Sequence, residues 1–129
     1  MRVKYEVMVN EFERVLKKYG FNEKNAKDAA QIFAQNSLAG VYSHGLNRFP
    51  RVIEYLQKGE IDPQVTADCV LSMGAFERWD GHRGFGPLNA KQAMDRAVEL
   101  AKQYGIGIVA LGNNNHWMRG GSYGFQAAD

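Results

Sequence analysis

The sequence predicts an α/β protein in which a helical subdomain, residues 1–62, is followed by an α/β domain, residues 63–129. Apolar residues recur at three- and four-residue steps in the first part of the chain, as they do on the buried face of helices. Pro63 then interrupts the chain, and short β-prone segments follow it. A long segment with the apolar period of a helix comes next, and an apolar run that resembles a strand follows it, so the order of elements in this domain is β-β-α-β.

The first two elements are predicted to form a helical hairpin. An apolar stripe runs from Tyr5 to Tyr19 and stops at Gly20. Asn22 can cap the second helix, which ends at Gly40. The small apolar face of this helix, which allows close packing, consists of Ala26, Ala29, Ala30, Phe33 and Ala34.

A third helix is predicted to end before Gly59. Pro50 is acceptable only in its first turn, because proline has no N–H to donate deeper in a helix. Asn47 is then the expected N-cap, and His44 lies just upstream. His44 and Arg48 therefore need not share a regular helical face, although they remain local neighbours.

Two short strands are predicted at residues 69–73 and 76–79. Cys69 is the only cysteine, so an internal disulfide and a cysteine metal cluster are excluded. Its apolar neighbours predict a buried, structural thiol.

A long helix and another strand are predicted next. Gly86 and Pro87 open the helix, which Gly105 ends, and residues 106–111 resemble a buried strand. A last helix is expected to begin near Ser122. Because so short a helix cannot bury its own apolar face, we expect the α/β domain to be truncated.

Composition narrows the classes of function. The 16 basic and 14 acidic residues are interspersed, so no basic stripe predicts a nucleic-acid partner. The N-terminus has no apolar signal core, and no apolar run is long enough to cross a bilayer, which predicts no membrane association and a cytoplasmic location. The three histidines lie in separate segments, so no metal site is expected.

The first candidate for chemistry is the segment of residues 42–48. Histidine can transfer protons near neutral pH, and arginine offers a planar fork for a carboxylate, so His44 and Arg48 together suit an oxo-acid substrate. A capping histidine and a surface arginine are the alternative interpretation.

The second candidate is the polar loop of residues 113–117 after the last strand, where α/β proteins commonly place ligand-contacting groups. Asn115 and His116 offer hydrogen-bond donors and acceptors there. A plain turn explains the asparagines equally well.

Residues 81–86 are glycine-rich and lie between a strand and a helix, as a dinucleotide-binding turn does. However, the spacing of the glycines is reversed from G-x-G-x-x-G. Turn formation and close backbone packing explain them more simply, and His82 is then expected to face solvent.

Three segments together, residues 40–50, residues 80–86 and residues 115–124, resemble the malate/L-lactate dehydrogenase family. The resemblance implies a non-Rossmann NAD-binding α/β fold and a cytoplasmic homodimer that uses NADH or NADPH to reduce a ketone in a small oxo sugar acid. It implies that His44 is the proton donor and that Arg48, His116 and Asn115 bind substrate. The cofactor-binding residues would lie mostly beyond residue 129.

Two alternatives remain open at this point. Within the family, the substrate could be another 2-oxo acid, of the malate or lactate type. In a different class, the chain could be an inactive binding or oligomerisation module. We expect these 129 residues alone to lack NADH-dependent reductase activity and to associate through exposed apolar surface.

Overall fold

A computed structural model describes residues 2–129, in which five α-helices and three strands form the predicted α/β fold. The chain divides into two compact units, the first ending at Gln64 and the second running from Val65 to Asp129. No helix within the described residues has the length and apolarity that a membrane span requires.

The first unit is helical. It contains α1 (Tyr5–Lys18), α2 (Glu23–Leu38) and α3 (Phe49–Gln57). Two short 3-10 turns, Tyr42–His44 and Leu46–Arg48, connect α2 to α3. The three predicted helices are thus confirmed.

The core of the first unit is a cluster of three phenylalanines, one from each helix. The ring centroid of Phe12 lies 5.7 Å from that of Phe33 and 4.3 Å from that of Phe49, and Phe33 meets Phe49 edge to face at 5.1 Å. All three side chains are buried. The cluster fixes the start of α3, and with it the end of the segment that carries His44.

The helix caps agree with the sequence at one of two positions. The side chain of Asn22 accepts a hydrogen bond from the Asn25 amide at 2.8 Å, as predicted for an N-cap. The prediction for Asn47 is wrong, because Arg48 occupies the N-cap position of α3 without a side-chain cap. Asn47 already lies in a 3-10 turn, and Pro50 in the first helical turn removes one amide that a cap would have satisfied.

The second unit is a small sheet with helices. It contains β1 (Asp68–Met73), β2 (Phe76–Asp80), α4 (Gly86–Tyr104), β3 (Ile108–Gly112) and α5 (Gly121–Ala128). Strand β2 is central, pairing antiparallel with β1 and parallel with β3. Helix α4 is the crossover that a parallel pair requires, so the predicted β-β-α-β order is confirmed.

An ion pair with a buried carboxylate joins β2 to α4. The carboxylate of Glu77 is buried and accepts hydrogen bonds from the Arg96 guanidinium at 2.7 and 3.1 Å and from Trp79 Nε1 at 2.8 Å. These donors, Arg96 first, hold the pKa of Glu77 below its usual range. The charge is stable in the interior because both carboxylate oxygens have partners.

Two predictions of burial are wrong in the second unit. Cys69 is exposed, since it lies on the edge strand β1, where every residue is exposed and where the pairing is irregular between Cys69 and Leu71. The strand predicted at residues 106–111 begins only at Ile108 and alternates between exposed and half-buried residues. It too is an edge strand, and Ile106 and Ile108 remain 58% and 48% exposed.

Candidate functional site

His44 and Arg48 end two successive 3-10 turns of the first unit. His44 ends the first turn, Arg48 ends the second, and Gly45 separates them with φ −114° and ψ −125°. The two residues do not lie on one regular helical face, which is the arrangement that the sequence had left open. Each side chain is half-buried.

Buried polar side chains of α2 hold this segment. The side-chain nitrogen Nδ2 of Asn36 donates to the backbone oxygen of His44 at 3.0 Å. The hydroxyl of Ser37 accepts from the Leu46 amide at 2.9 Å and donates to the backbone oxygen of Phe33 at 3.0 Å. Since Asn36 and Ser37 are both buried, these bonds are shielded from water and fix the backbone on both sides of Gly45.

Gly45 is required by this close contact. A Cβ added there would overlap with the hydroxyl of Ser37 and lie 2.8 Å from the Ser37 backbone nitrogen. Any larger residue would push the segment off α2. The glycine next to His44 is therefore a packing requirement that sets the position of the imidazole.

The side chains of the segment have distinct environments. The hydroxyl of Ser43 lies 2.9 Å from Nδ1 of His44. Nε of Arg48 is buried and has no hydrogen-bond partner within the described residues. An unpaired buried donor on a charged group costs about 1–3 kcal/mol or more, so an anionic ligand oxygen at this guanidinium would be stabilised.

In the second unit, Asn89 joins three segments. It is 1% exposed in the first turns of α4. Its Oδ1 accepts from the Ala67 amide at 2.9 Å, and its Nδ2 donates to the Gly81 oxygen at 3.0 Å and to Oδ1 of Asn114 at 2.9 Å. Sequence analysis missed Asn89; the available signal was a polar residue one turn before Ala93, on the buried face of a helix.

The loop after β3, residues 113–118, is hydrogen-bonded to the glycine-rich turn after β2, residues 81–86. Nδ2 of Asn113 donates to Oδ1 of Asp80 at 3.0 Å, and the Asn113 backbone oxygen accepts from the Arg83 amide at 2.9 Å. Nδ2 of Asn115 donates to the backbone oxygens of Arg83 and Gly84 at 2.7 and 3.1 Å. These asparagines join two chain segments as well as forming a turn.

The glycines of the turn allow this contact. A Cβ on Gly81 would lie 2.9 Å from Oδ1 of Asn114, and a Cβ on Gly86 would overlap with the backbone oxygens of Asn115 and His116. The predicted role of close backbone packing is therefore confirmed. A phosphate loop is a different arrangement, because it leaves its amides pointing at the ligand.

Four consecutive amides of the turn donate within the protein. Those of Gly81, Arg83 and Gly84 donate to backbone oxygens at 2.8–2.9 Å, and that of His82 donates to Oδ1 of Asp80 at 2.7 Å. The turn cannot cradle a dinucleotide phosphate with these groups. This agrees with the absence of a Rossmann fingerprint in the sequence.

His82 is part of the turn's own structure. Its side chain is 46% exposed, close to the expected solvent position, but the ring pairs with Asp68 through Nε2 and lies 3.5 Å from Asp80 through Nδ1. The hydrogen bond with Asp68 is the main cause that raises the pKa of His82 above its ordinary value. The pair links the start of β1 to the turn after β2.

His116 is an exposed residue of the 113–118 loop. Its Nδ1 accepts a hydrogen bond from the Met118 amide at 2.9 Å. With Asn114, Asn115 and Trp117 it lines a groove of about 500 Å³ whose other walls are apolar residues of the same unit. The structure thus places His44 and Arg48 on one short segment of the first unit, and Asn115 and His116 at one groove of the second.

Residues 3–129 match the sequence model of the malate/L-lactate dehydrogenase family, so the chain belongs to this family.

The described part of the chain contains no group of three or more histidine, cysteine or acidic side chains that could hold a metal ion.

The curated relatives include proteins named 2,3-diketo-L-gulonate reductase. That of Mannheimia succiniciproducens is 55% identical and that of Haemophilus influenzae 53% identical, each over all 129 residues. The chain spans 39% of the length of each relative.

Solved structures show the same fold. Malate dehydrogenase from Pyrococcus horikoshii aligns with a TM-score of 0.95 and 31% identity, covering 99% of this chain and 37% of that one. Sulfolactate dehydrogenase from Methanocaldococcus jannaschii aligns with a TM-score of 0.93 and 37% identity, covering 98% of this chain and 37% of that one.

We predict that Gly86→Ala destabilises the chain by about 1–3 kcal/mol, the usual cost of inserting a methyl group into a packed interior, and displaces the loop that carries His116. Gly124→Ala is the matched control, because a Cβ at Gly124 in α5 meets nothing and alanine favours a helix. Urea unfolding measures the first effect, and the amide shifts of residues 113–118 measure the second. Equal stability of the two variants would contradict the packing role.

We also predict a pH-dependent contribution of the His82–Asp68 pair. Because the pKa of His82 is raised in the folded chain, this stabilisation is complete below the unfolded value of about 6.5 and is lost as the pH rises through the folded value. Asp68→Asn should therefore lower the unfolding midpoint at pH 6 and change it little at pH 9.

The control for this pair is His82→Asn, since asparagine tolerates the left-handed φ of 48° at this position. In that background, Asp68→Asn should have the same small effect at both pH values. A pH-dependent loss that persists without His82 would assign the effect to another group.

Proposed function

We propose that these residues form part of a reductase that converts 2,3-diketo-L-gulonate to 3-keto-L-gulonate. The observation that carries the proposal is Arg48, whose buried Nε has no hydrogen-bond partner within the described residues and which lies four residues after the half-buried His44. The identity of 52–55% to proteins named for this reaction, over the whole chain, supports the choice of substrate. A cytoplasmic homodimer is part of the proposal on family resemblance alone.

The proposed hydride donor is NADH or NADPH, the nicotinamide dinucleotide that the family resemblance implies. When bound, it supplies the hydride for the carbonyl carbon. The glycine turn of residues 81–86 does not fit the phosphates of this cofactor, because the amides of Gly81, His82, Arg83 and Gly84 already donate within the protein. We therefore assign no described residue to its binding.

His44 is the proposed proton donor. Reduction of a ketone places negative charge on the carbonyl oxygen, and a protonated imidazole within hydrogen-bond reach neutralises it as a general acid. Because Nδ1 is held at the Ser43 hydroxyl, Nε2 is the nitrogen proposed to deliver the proton. Gly45 and Asn36 keep the backbone of His44 in place for this step.

Arg48 is the proposed partner of the substrate carboxylate. A guanidinium binds a carboxylate through two parallel N–H bonds, and such charge-assisted pairs are about twice as strong as neutral hydrogen bonds. The buried Nε would gain its missing acceptor when the acid binds.

For the second unit, we propose that Asn115 and His116 take part in substrate binding. His116 is exposed, lines the groove and is proposed to contact substrate oxygens. The side-chain nitrogen of Asn115 donates to two backbone oxygens, which favours a positioning role for this residue.

A second candidate is the reduction of another 2-oxo acid. The fold similarity to a malate dehydrogenase and a sulfolactate dehydrogenase favours it, because a carboxylate clamp at Arg48 would suit these acids equally. An inactive binding or oligomerisation module is the third possibility. Activity measurements separate all three.

The experiment uses a chimera in which these 129 residues are followed by the remainder of the Mannheimia succiniciproducens reductase. NADH and NADPH oxidation are measured with 2,3-diketo-L-gulonate, oxaloacetate and pyruvate. We expect the highest kcat/KM with 2,3-diketo-L-gulonate. A preference for a different acid would support the second candidate, and no turnover in a folded chimera would support the third.

We predict that His44→Ala in the chimera lowers kcat by a factor on the order of 10²–10⁴, the loss expected for a general acid, without a comparable loss of stability. His82→Asn is the control, since it replaces a histidine that is not assigned to the reaction. Turnover of the His44→Ala variant at the unsubstituted rate across the pH range would remove His44 from the mechanism.

We predict that Arg48→Lys raises KM for the acid substrate by about tenfold and leaves KM for the dinucleotide unchanged, because lysine keeps the charge but loses the two-pronged geometry. Arg51→Lys, at an exposed position of α3, is the matched control. If both variants show the same substrate dependence as the unsubstituted chimera, the carboxylate clamp is not at Arg48.

A further inference from the structure

The 113–118 loop fixes His116 from both sides. Before it, the side chains of Asn114 and Asn115 are hydrogen-bonded to Asn89 and to the glycine turn. After it, the Trp117 backbone oxygen accepts from the hydroxyl of Tyr123 at 2.5 Å. Burial raises the pKa of Tyr123, so this hydroxyl stays protonated and remains a donor.

The position after Trp117 is held in an unusual conformation. Met118 has φ 65°, in the left-handed region, and its side chain is 4% exposed. This conformation costs energy for a residue with a side chain, so it persists only because the surroundings impose it. Its result is that the Met118 amide points at Nδ1 of His116, 2.9 Å away.

A backbone amide can only donate a hydrogen bond, so Nδ1 of His116 must be the acceptor and carries no proton. The proton of the neutral ring is then on Nε2. Protonation of Nδ1 would place two N–H groups face to face, and Met118 cannot turn its amide away without moving a buried side chain.

We propose that the 113–118 loop fixes His116 as a neutral imidazole with its proton on Nε2, so that His116 recognises a substrate oxygen as a hydrogen-bond donor and does not transfer protons. The ligand group it fits is a carbonyl, carboxylate or hydroxyl oxygen. The role in substrate binding rests on the proposed function, whereas the protonation state rests on the loop alone.

Groove geometry supports a donor at this position. His116 lines a groove whose walls include Ala93, Ala97 and Leu111, and whose polar side chains come from the same loop and from Tyr123 of α5.

The protonation state is measured in the chimera, with histidine labelled with ¹⁵N and long-range ¹H–¹⁵N correlation, and the His116 signal is assigned by its loss in His116→Gln. We expect the His116 signals at pH 7.5 to show an unprotonated Nδ1 and a protonated Nε2, with no averaging between tautomers. His82 is the internal control, because its carboxylate partners raise its pKa and its ring should become the cation as the pH falls. An averaged or Nδ1-protonated signal for His116 would overturn the proposal.

The role is measured in the chimera with two substitutions. His116→Gln keeps a nitrogen donor near the position of Nε2, whereas His116→Leu removes it. If His116 acts as a hydrogen-bond donor, kcat/KM should fall by about threefold in His116→Gln and by about tenfold or more in His116→Leu. The pH profile should be the same in both variants. Equal losses of 10²–10⁴, with one limb of the pH profile missing, would show proton transfer by His116 and overturn the assigned role.

The two failures are distinguishable. If the chimera does not reduce 2,3-diketo-L-gulonate, the proposed substrate is wrong, and the substitutions are read with whichever acid in the panel it reduces. If it reduces no acid at all, the recognition role is wrong, while the labelled spectra still decide the protonation state of His116.

Discussion

The arrangement of the second unit depends on close backbone contact between the glycine-rich turn after β2 and the loop after β3. The turn of residues 81–86 and the loop of residues 113–118 touch where Gly81 and Gly86 leave no space for a Cβ. Asn89 holds both segments and the chain before β1 with one buried amide group. Since every one of these bonds is internal, the loop that carries His116 is formed before any ligand binds, which lowers the entropy cost of binding.

The first unit also has a glycine in close contact with a helix that carries a buried polar side chain. Gly45 lies directly on Ser37, and the hydroxyl of Ser37 bonds on both sides of the contact. In each unit, the helix supplies a buried polar side chain and the loop supplies a glycine. The side chains proposed for chemistry, His44 and His116, are the neighbours of these fixed points, so their position is set by the backbone.

Sequence patterns predicted the elements well and the buried surfaces less well. Apolar periodicity reports which face of a helix is buried, and it located α1, α2 and α4 together with their ends. It does not report whether a strand lies at the edge of a sheet, which is why Cys69 was wrongly predicted as buried. Asn89 was missed because two of its three partners, Ala67 and Asn114, are each more than 20 residues away in sequence. The residue type of His44 and His116 was visible in the sequence, but the atoms that hold them were not.

The hydrogen-bond partner of Nδ1 distinguishes the proposed role of His44 from that of His116. The partner of His44 is the hydroxyl of Ser43, which can donate to an unprotonated nitrogen and accept from a protonated one. His44 can therefore gain and lose a proton while keeping its contact, as a general acid must. The partner of His116 is the amide of Met118, which can only donate, so the same ring is restricted to one protonation state. In the proposed roles, one histidine transfers protons and the other recognises an oxygen, and the difference between them is the direction of a single hydrogen bond at Nδ1.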